Sequence, residues 1–286
     1  MGLRRAAKIS MADKSTFYRV VTQAVVDILD HGFDEIGRVR RWEEKLATSA
    51  RASLLPEAEM DKMLRDGLAQ IYERLIDKGQ IYSKHPGIST FTVDKLRPEL
   101  RKILDQRIMA SADLIKRKRK TTIDTMMSRF SGWATSVPKG GTSQGNKAGL
   151  KDKIRRSITS LSFEERRVFI DQGHKLTASI SEVVAIGGQA IAGRWRSHWK
   201  QPGYDYREDH KERDQEIYLL RDTWATEKGL VKPVGAGWYD KVTKVGEEPF
   251  CRCYMVWIYA LRDLPPDMLT VKGKAELDRV RVELAS

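Results

Sequence analysis

The chain has 286 residues, 41% of them hydrophobic and 32% charged, which is enough for one large domain or two ordinary ones with a sizeable core. Its 52 Lys and Arg residues against 39 Asp and Glu give a net charge of +13, which favours an anionic partner, nucleic acid before a membrane surface. No run approaches the ~18 apolar residues of a membrane span, the first twenty residues lack the apolar segment of a secretory signal, and two cysteines do not make a disulfide framework. We therefore expect a soluble protein of a reducing cytoplasm without a membrane partner.

Helical periodicity dominates the first half of the chain. Apolar residues recur at three- and four-residue steps from Phe17 to Leu29, and Gly32 separates this helix from the next. Pro56 predicts another helix start, and a basic residue followed by glycine at Lys78–Gly79 predicts its end. Residues 83–94 are predicted to form a loop with a short extended piece.

A long helix is predicted from Val93 to about Phe130, on the order of 50 Å if unbroken, with Thr121–Thr122 as a candidate break. Residues 136–149 are rich in glycine and polar side chains, and we expect a linker or exposed loop there. A second helical run follows from about Leu150 to Trp199. Within it, Ser162 and Glu165 have the spacing of a capping box at a helix start.

Beyond Trp199 the chain changes character, and short strands and ordered loops are predicted. The segment "CYMVWIY" alternates as a strand does, and residues 273–285 predict a terminal helix. The predicted fold is mainly α, with long helices in the N-terminal half and a small α+β C-terminal domain. The predicted divisions are a helical region at 1–135, the linker at 136–149, a domain with leading helices at 150–265, and a tail or short helix at 266–286.

Five consecutive basic residues lie inside the long predicted helix. Consecutive helical residues splay around the axis, so they form a basic collar that can contact phosphates without selecting a sequence. The alternative is an ordinary solvated helix segment, since no zinc finger, basic zipper or RNA-binding signature accompanies the collar. The candidate DNA-binding residues are Lys116, Arg117, Lys118, Arg119 and Lys120.

Signs of catalysis are sparse. The sequence contains no phosphate-binding glycine loop, no zinc-protease motif and no serine-hydrolase motif, so we predict no enzymatic activity, catalytic residue or small-molecule substrate. The alternative is a nuclease or toxin-like enzyme in which His210 acts with neighbouring groups. Those candidate groups are His198, Arg207 and Glu208.

Both cysteines lie in "EEPFCRCYMVW", one residue apart. A disulfide between residues i and i+2 is strained, and redox pairs have two intervening residues. Zinc is an alternative, bound by Cys251, Cys253 and His210 with Asp205 or Asp209 as a fourth ligand, although the single-residue gap is atypical. In a strand the two thiols face one side and Arg252 the other, which favours two buried small side chains. We therefore predict no cofactor.

The order of these residues resembles the C-terminal domain of phage Mu F-like head morphogenesis proteins, the minor head proteins of tailed phages. An Arg–x–x–His element is followed by a glycine-containing segment and then by Pro–x–Cys–Arg–Cys. The resemblance covers residues 170 to 262, but Asp214–Gln215 stands where family members usually have Asp–Gly. The matching residues are Trp199, Asp205, Arg207, His210, Gly229, Pro249, Cys251, Arg252 and Cys253.

The resemblance implies a virion protein inside the capsid near the portal vertex, made in the host cytoplasm. It implies binding to portal protein, other head proteins and packaged double-stranded DNA, with a role in head assembly and in DNA retention or delivery. It also implies that the two cysteines hold a structural corner, with Arg252 and His210 cross-linking it by hydrogen bonds.

Overall fold

The structure, a computed structural model, describes residues 14–33, 35–139 and 144–285. It is 67% helical, with long helices in the N-terminal half and a small three-stranded antiparallel sheet near the C-terminus, so the predicted fold class is confirmed. The chain divides into two compact units, each made of two separate segments. One unit comprises residues up to Gly67 with Ile108–Ile170, and the other comprises Leu68–Arg107 with the residues from Asp171 onwards.

Helices supply most of the chain up to residue 187. A π-helical turn at Glu73–Asp77 extends the third of them to Lys78–Gly79, the predicted stop. The helices are α1 (Ser15–His31), α2 (Ile36–Ala52), α3 (Glu57–Tyr72), α4 (Gln80–Lys84), α5 (Thr90–Ala134) and α6 (Gln144–Gly187).

The first unit has an apolar core in which α1 and α2 pack with the C-terminal part of α5 and the N-terminal part of α6. The predicted apolar face of α1 is confirmed, since Phe17, Ala24 and Ile28 are fully buried. The same core contains Met126 and Phe130 of α5 and Ile158 of α6. These contacts account for the stability of the long helices here, because propensity alone gives little.

Two predictions about the long helices were wrong, and the candidate break in the longer one is not observed. Helix α5 starts at Thr90 because the Ser89 hydroxyl caps the backbone N–H of Thr92 at 3.1 Å, so much of the predicted 83–94 loop is helical. It continues without a break past Thr121–Thr122, and its 45 residues span about 67 Å. The predicted capping box is not at a helix start, because Ser162 and Glu165 lie inside α6.

The boundary regions of α6 also differ from expectation. Of the predicted linker, residues 144–149 are helical and 140–143 lie outside the described residues. Helix α6 ends at Gly187, so residues 188–199 are not helical as predicted; part of them forms a strand. The predicted domain boundaries at 135, 149 and 265 stay a prediction.

The second unit contains the sheet, in the order β2-β1-β3 with both pairs antiparallel. Both of its faces are covered: Ala192, Leu219 and Ile258 lie in one apolar cluster, and Trp195 and Trp257 lie in another. The predicted "CYMVWIY" strand and terminal helix are confirmed. The elements are β1 (Ala192–Arg196), α7 (Glu208–Glu212), β2 (Ile217–Leu219), α8 (Trp224–Glu227), β3 (Tyr254–Ile258) and α9 (Val271–Ala285).

None of the helices in the described ranges combines the length and apolarity that crossing a membrane requires.

Candidate metal centre

Five of the residues that carry the resemblance lie together, on the short helix α7 or just before it and on the segment that leads into β3. This group, called the resemblance motif below, consists of Arg207, His210, Pro249, Cys251 and Cys253. Helix α7 carries His210, whose side chain is 2% exposed and packs edge-on against the indole of Trp195, with ring centroids 5.4 Å apart. On the other side, Phe250 has a left-handed φ of 61°, and its backbone N–H donates to buried Asp171 at 2.6 Å. The left-handed residue Phe250 immediately precedes Cys251, and both cysteine side chains after it contact His210 of α7.

Three potential metal ligands, His210, Cys251 and Cys253, lie together between α7 and the segment before β3, a place called the corner below. The His210 Nδ1 atom lies 3.7 Å from the Sγ of Cys251 and 3.5 Å from the Sγ of Cys253. The two cysteines are free thiols and both are buried, whereas Arg252 between them is partly exposed. As predicted, the two thiols are buried on one side of the segment and Arg252 between them is more exposed. Because only one residue separates the cysteines, both sulfurs contact the same imidazole nitrogen.

A carboxylate holds the opposite edge of the imidazole. Glu248 Oε2 lies 3.1 Å from His210 Nε2 and 2.9 Å from Arg207 Nε. Neither His210 Nε2 nor Glu248 Oε2 makes a hydrogen bond, so the contact between them is electrostatic. Arg207 also donates to the carbonyl of Pro249 at 3.0 Å, which fixes the start of the cysteine segment. Arg207, His210 and Pro249 thus form one structural corner.

The two thiols differ in acidity because they lie side by side. The neighbouring Cys253 thiol and, after it, His210 lower the pKa of Cys251 well below its ordinary range. Loss of a second proton next to a thiolate is unfavourable, so the pKa of Cys253 is raised. The first proton of the pair therefore leaves more readily than the second.

Other residues of the resemblance lie near the corner but have different roles. Asp214 accepts from the backbone N–H of Ser197 at 2.8 Å and from the indole N–H of Trp199 at 3.1 Å. Gln215 has a φ of 75°, the left-handed conformation that glycine adopts most readily, at the place where the Mu F-like family usually has glycine. The turn is therefore made without the glycine.

The remaining residues of the resemblance are not brought to the imidazole. The Arg252 guanidinium lies over the Tyr204 ring, 5.3 Å from its centroid, and the Arg252 backbone N–H donates to the Tyr204 hydroxyl at 3.2 Å. Cross-linking of the corner by hydrogen bonds from Arg252 and His210 stays a prediction. Gly229 has a φ of 66° just after α8, a helix-end position that favours glycine. Asp205 is exposed, and neither it nor Asp209 belongs to the group of converging ligands.

A cavity of about 540 Å³ borders Cys253 in the same unit. Its lining includes the basic side chains Lys84, His174, His198 and Arg252, and none of the lining residues in the described part of the chain is a carboxylate. Burial lowers the pKa of His174, and the nearby charge of Arg252 adds to this. The cavity therefore suits water or a small anion. The sequence did not predict this cavity, because its lining residues come from distant segments of the chain that only the fold brings together.

The five residues of the basic collar, Lys116 to Lys120 in α5, are all paired with carboxylates. Arg119 is 8% exposed on its side chain and binds Glu165, with Nε–Oε1 at 2.7 Å, so it has no surface to offer a phosphate. Arg117 and Lys120 are 78% and 80% exposed, and each pairs with an acid one turn away on α5. Lys116 and Lys118 bind acids on α3 and α6, respectively. DNA binding by this collar stays a prediction.

Comparisons with protein-family models, with curated proteins and with solved structures found no match for this chain.

Proposed function

We propose that this protein is a minor head protein of a tailed bacteriophage, located inside the capsid near the portal vertex. In this proposal it acts by binding portal protein, other head proteins and packaged DNA, in head assembly and in DNA retention or delivery. The family assignment, the location and the partners all belong to the proposal.

The observation that supports the proposal most is the convergence of the resemblance motif. About forty residues of chain separate the two halves of the motif, yet the halves contact each other in one corner. The first half is Arg207 and His210, and the second is Pro249, Cys251 and Cys253. A motif that holds a domain together is expected to do this, whereas a chance string of residues is not. The net charge of +13 independently favours an anionic partner such as DNA.

Binding is favoured over turnover by the surroundings of His210. A general acid or base must come within hydrogen-bonding reach of its substrate. The His210 ring is 2% exposed, with one nitrogen directed at two sulfurs and the other at Glu248. An imidazole held in this way is suited to a structural role, so we do not propose the nuclease alternative.

The test is quantitative mass spectrometry of purified virions, full and emptied, from a phage that encodes this chain. We expect a few copies per particle relative to the major capsid protein, and depletion after emptying if the protein leaves with the DNA. A matched control is a non-virion protein encoded by the same phage, which sets the background of carried-over cell protein. An abundance no higher than that background would overturn the proposal.

A further inference from the structure

The spacing of the buried corner matches a zinc coordination sphere. With Zn–S bonds of about 2.3 Å and Zn–N bonds of about 2.0–2.1 Å, the sulfur and nitrogen ligands of a tetrahedral zinc site lie about 3.6 Å apart. The two Sγ–Nδ1 distances here are 3.7 and 3.5 Å, and all three ligand atoms lie within 4.8 Å of one another. Two of the distances between ligand atoms therefore already have the values of a tetrahedral zinc site.

The hydrogen bonds within this cluster are long. A neutral imidazole with its proton on Nε2 has a single lone pair on Nδ1, so it can accept from only one of the two thiols, and Cys253 also donates to the Ser197 hydroxyl at 3.8 Å. Cys251 and Cys253 are 1% and 6% exposed, so both sulfurs are largely shielded from water. A cation at the centre satisfies both sulfurs and the nitrogen at once.

A carboxylate stands behind His210, as it does behind many metal-binding histidines, although no hydrogen bond joins the two side chains here. Glu248 lies at Nε2, on the far edge of the ring, and favours the tautomer whose Nδ1 lone pair faces the sulfurs. Arg207 holds Glu248 in turn, at 2.9 Å. Carboxylate–histidine pairs of this kind orient the ligand and increase its basicity in zinc sites.

We propose that His210, Cys251 and Cys253 bind one Zn²⁺ ion through Nδ1 and two thiolates. Within the described ranges no further His, Cys, Asp or Glu joins the three, so a water molecule takes the fourth position. Cys253 also lines the 540 Å³ cavity, which gives that water a route to the ion. The ion ties α7 to the segment before β3, and this inference does not depend on the proposed phage role.

The test is the metal content and the cobalt spectrum of the full-length protein. Purified without chelator, it is expected to carry about one zinc per chain. After replacement by Co²⁺, it is expected to show a sulfur-to-cobalt charge-transfer band and the intense visible bands of a tetrahedral site. A folded wild-type protein that binds neither ion in stoichiometric amount after reconstitution would overturn the proposal.

Variants separate this site from adventitious binding. Cys251→Ser with Cys253→Ser is expected to abolish zinc binding and the charge-transfer band, whereas His198→Asn, on the cavity lining but outside the cluster, is expected to keep both. Glu248→Gln is expected to weaken zinc affinity 10- to 100-fold through loss of the carboxylate behind His210, with exposed Glu208→Gln as its matched control. If the double cysteine variant misfolds, the cobalt spectrum of the wild type decides, and full zinc binding by a folded double variant would contradict the proposal.

Discussion

At the residue scale, His85 is the buried titratable group with the clearest consequence. Its side chain is fully buried, with Nδ1 at 2.5 Å from the Tyr259 hydroxyl and Nε2 at 3.1 Å from the Ser181 hydroxyl. Burial lowers the pKa of His85 to about 4, and the charge of Lys84 adds to this. The ring is therefore neutral in the folded protein at any pH above that value.

This predicts a loss of stability in mild acid. In the unfolded chain His85 takes up a proton near its ordinary pKa of about 6.5, so the contribution is present above that pH and declines as the pH falls to 4. The full loss is on the order of 3 kcal/mol of unfolding free energy. Urea unfolding between pH 7 and 4 checks it: His85→Gln is expected to lose less stability over this range than the wild type.

The control for this measurement is Gln80→Asn, an exposed position at which no titrating group is changed. It is expected to follow the wild-type pH profile. Parallel profiles for His85→Gln and the wild type would contradict the prediction, since all other titrating groups are common to both proteins.

At the element scale, two helical glycines predict opposite effects of the same substitution. Gly273, in α9, is buried, and a Cβ added there would overlap the backbone carbonyl oxygen of Leu230, which cannot rotate away. Gly132, in α5, is exposed, and a Cβ there would meet nothing within 4 Å. Helix propensity favours alanine at both positions, by up to about 1 kcal/mol.

We expect Gly273→Ala to lower the unfolding free energy by about 1–3 kcal/mol and Gly132→Ala to raise it by up to about 1 kcal/mol. Chemical denaturation of both variants at one temperature measures the pair. Because helix propensity is common to the two sites, the difference between them isolates the backbone contact of α9. A neutral or stabilising Gly273→Ala would show that α9 does not dock on Leu230.

The same scale shows what the sequence could predict. The periodicity of α1 comes from one buried face, and the alternation of β3 comes from buried Met255 and Trp257 between exposed Tyr254 and Val256, so pattern alone located both elements. The continuity of α5 through Thr121–Thr122 did not follow from pattern, because the small helix penalty of β-branched residues is overridden by burial of Ile123 and Met126.

For the candidate site, the sequence supplied the residues but not their arrangement. His210 and the two cysteines were candidates because of their chemistry and order. Glu248 was missed, since an acidic residue before a proline is ordinary in a loop and only the fold places it behind the imidazole. Glu165 was assigned to a cap, whereas its partner is Arg119, 46 residues away. Contacts between distant segments leave no local signature.

At the scale of the whole molecule, the charge excess predicts salt-dependent binding to DNA. Each phosphate contact contributes a slope of about −0.9 to the logarithm of the binding constant against the logarithm of salt concentration. Arg117 and Lys120 are the most exposed of the five basic residues, and their exposed ion pairs contribute little and can exchange for phosphates. Arg119 is held inside the fold.

Two phosphate contacts are lost when Arg117 and Lys120 are replaced by Gln. The slope of the logarithm of the DNA-binding constant against the logarithm of salt concentration is therefore expected to become less negative by about 1.8. Fluorescence anisotropy with double-stranded DNA at several salt concentrations measures it. The matched control is Lys62→Gln with Arg262→Gln, which removes the same charge at exposed positions elsewhere. Equal effects of the two double variants would show that net charge, and not the collar, determines DNA binding.

The interleaving of the two units has a consequence during synthesis on the ribosome. Residues up to Gly67 emerge first, but their unit also needs Ile108–Ile170, and the residues from Leu68 to Arg107 must wait for the chain beyond Asp171. The first unit therefore cannot complete its core until the segment ending at Ile170 has left the exit tunnel, and the second cannot until the residues beyond Asp171 have followed. A nascent chain stalled midway would expose apolar helix faces, which makes chaperone capture during translation the expected fate of early intermediates.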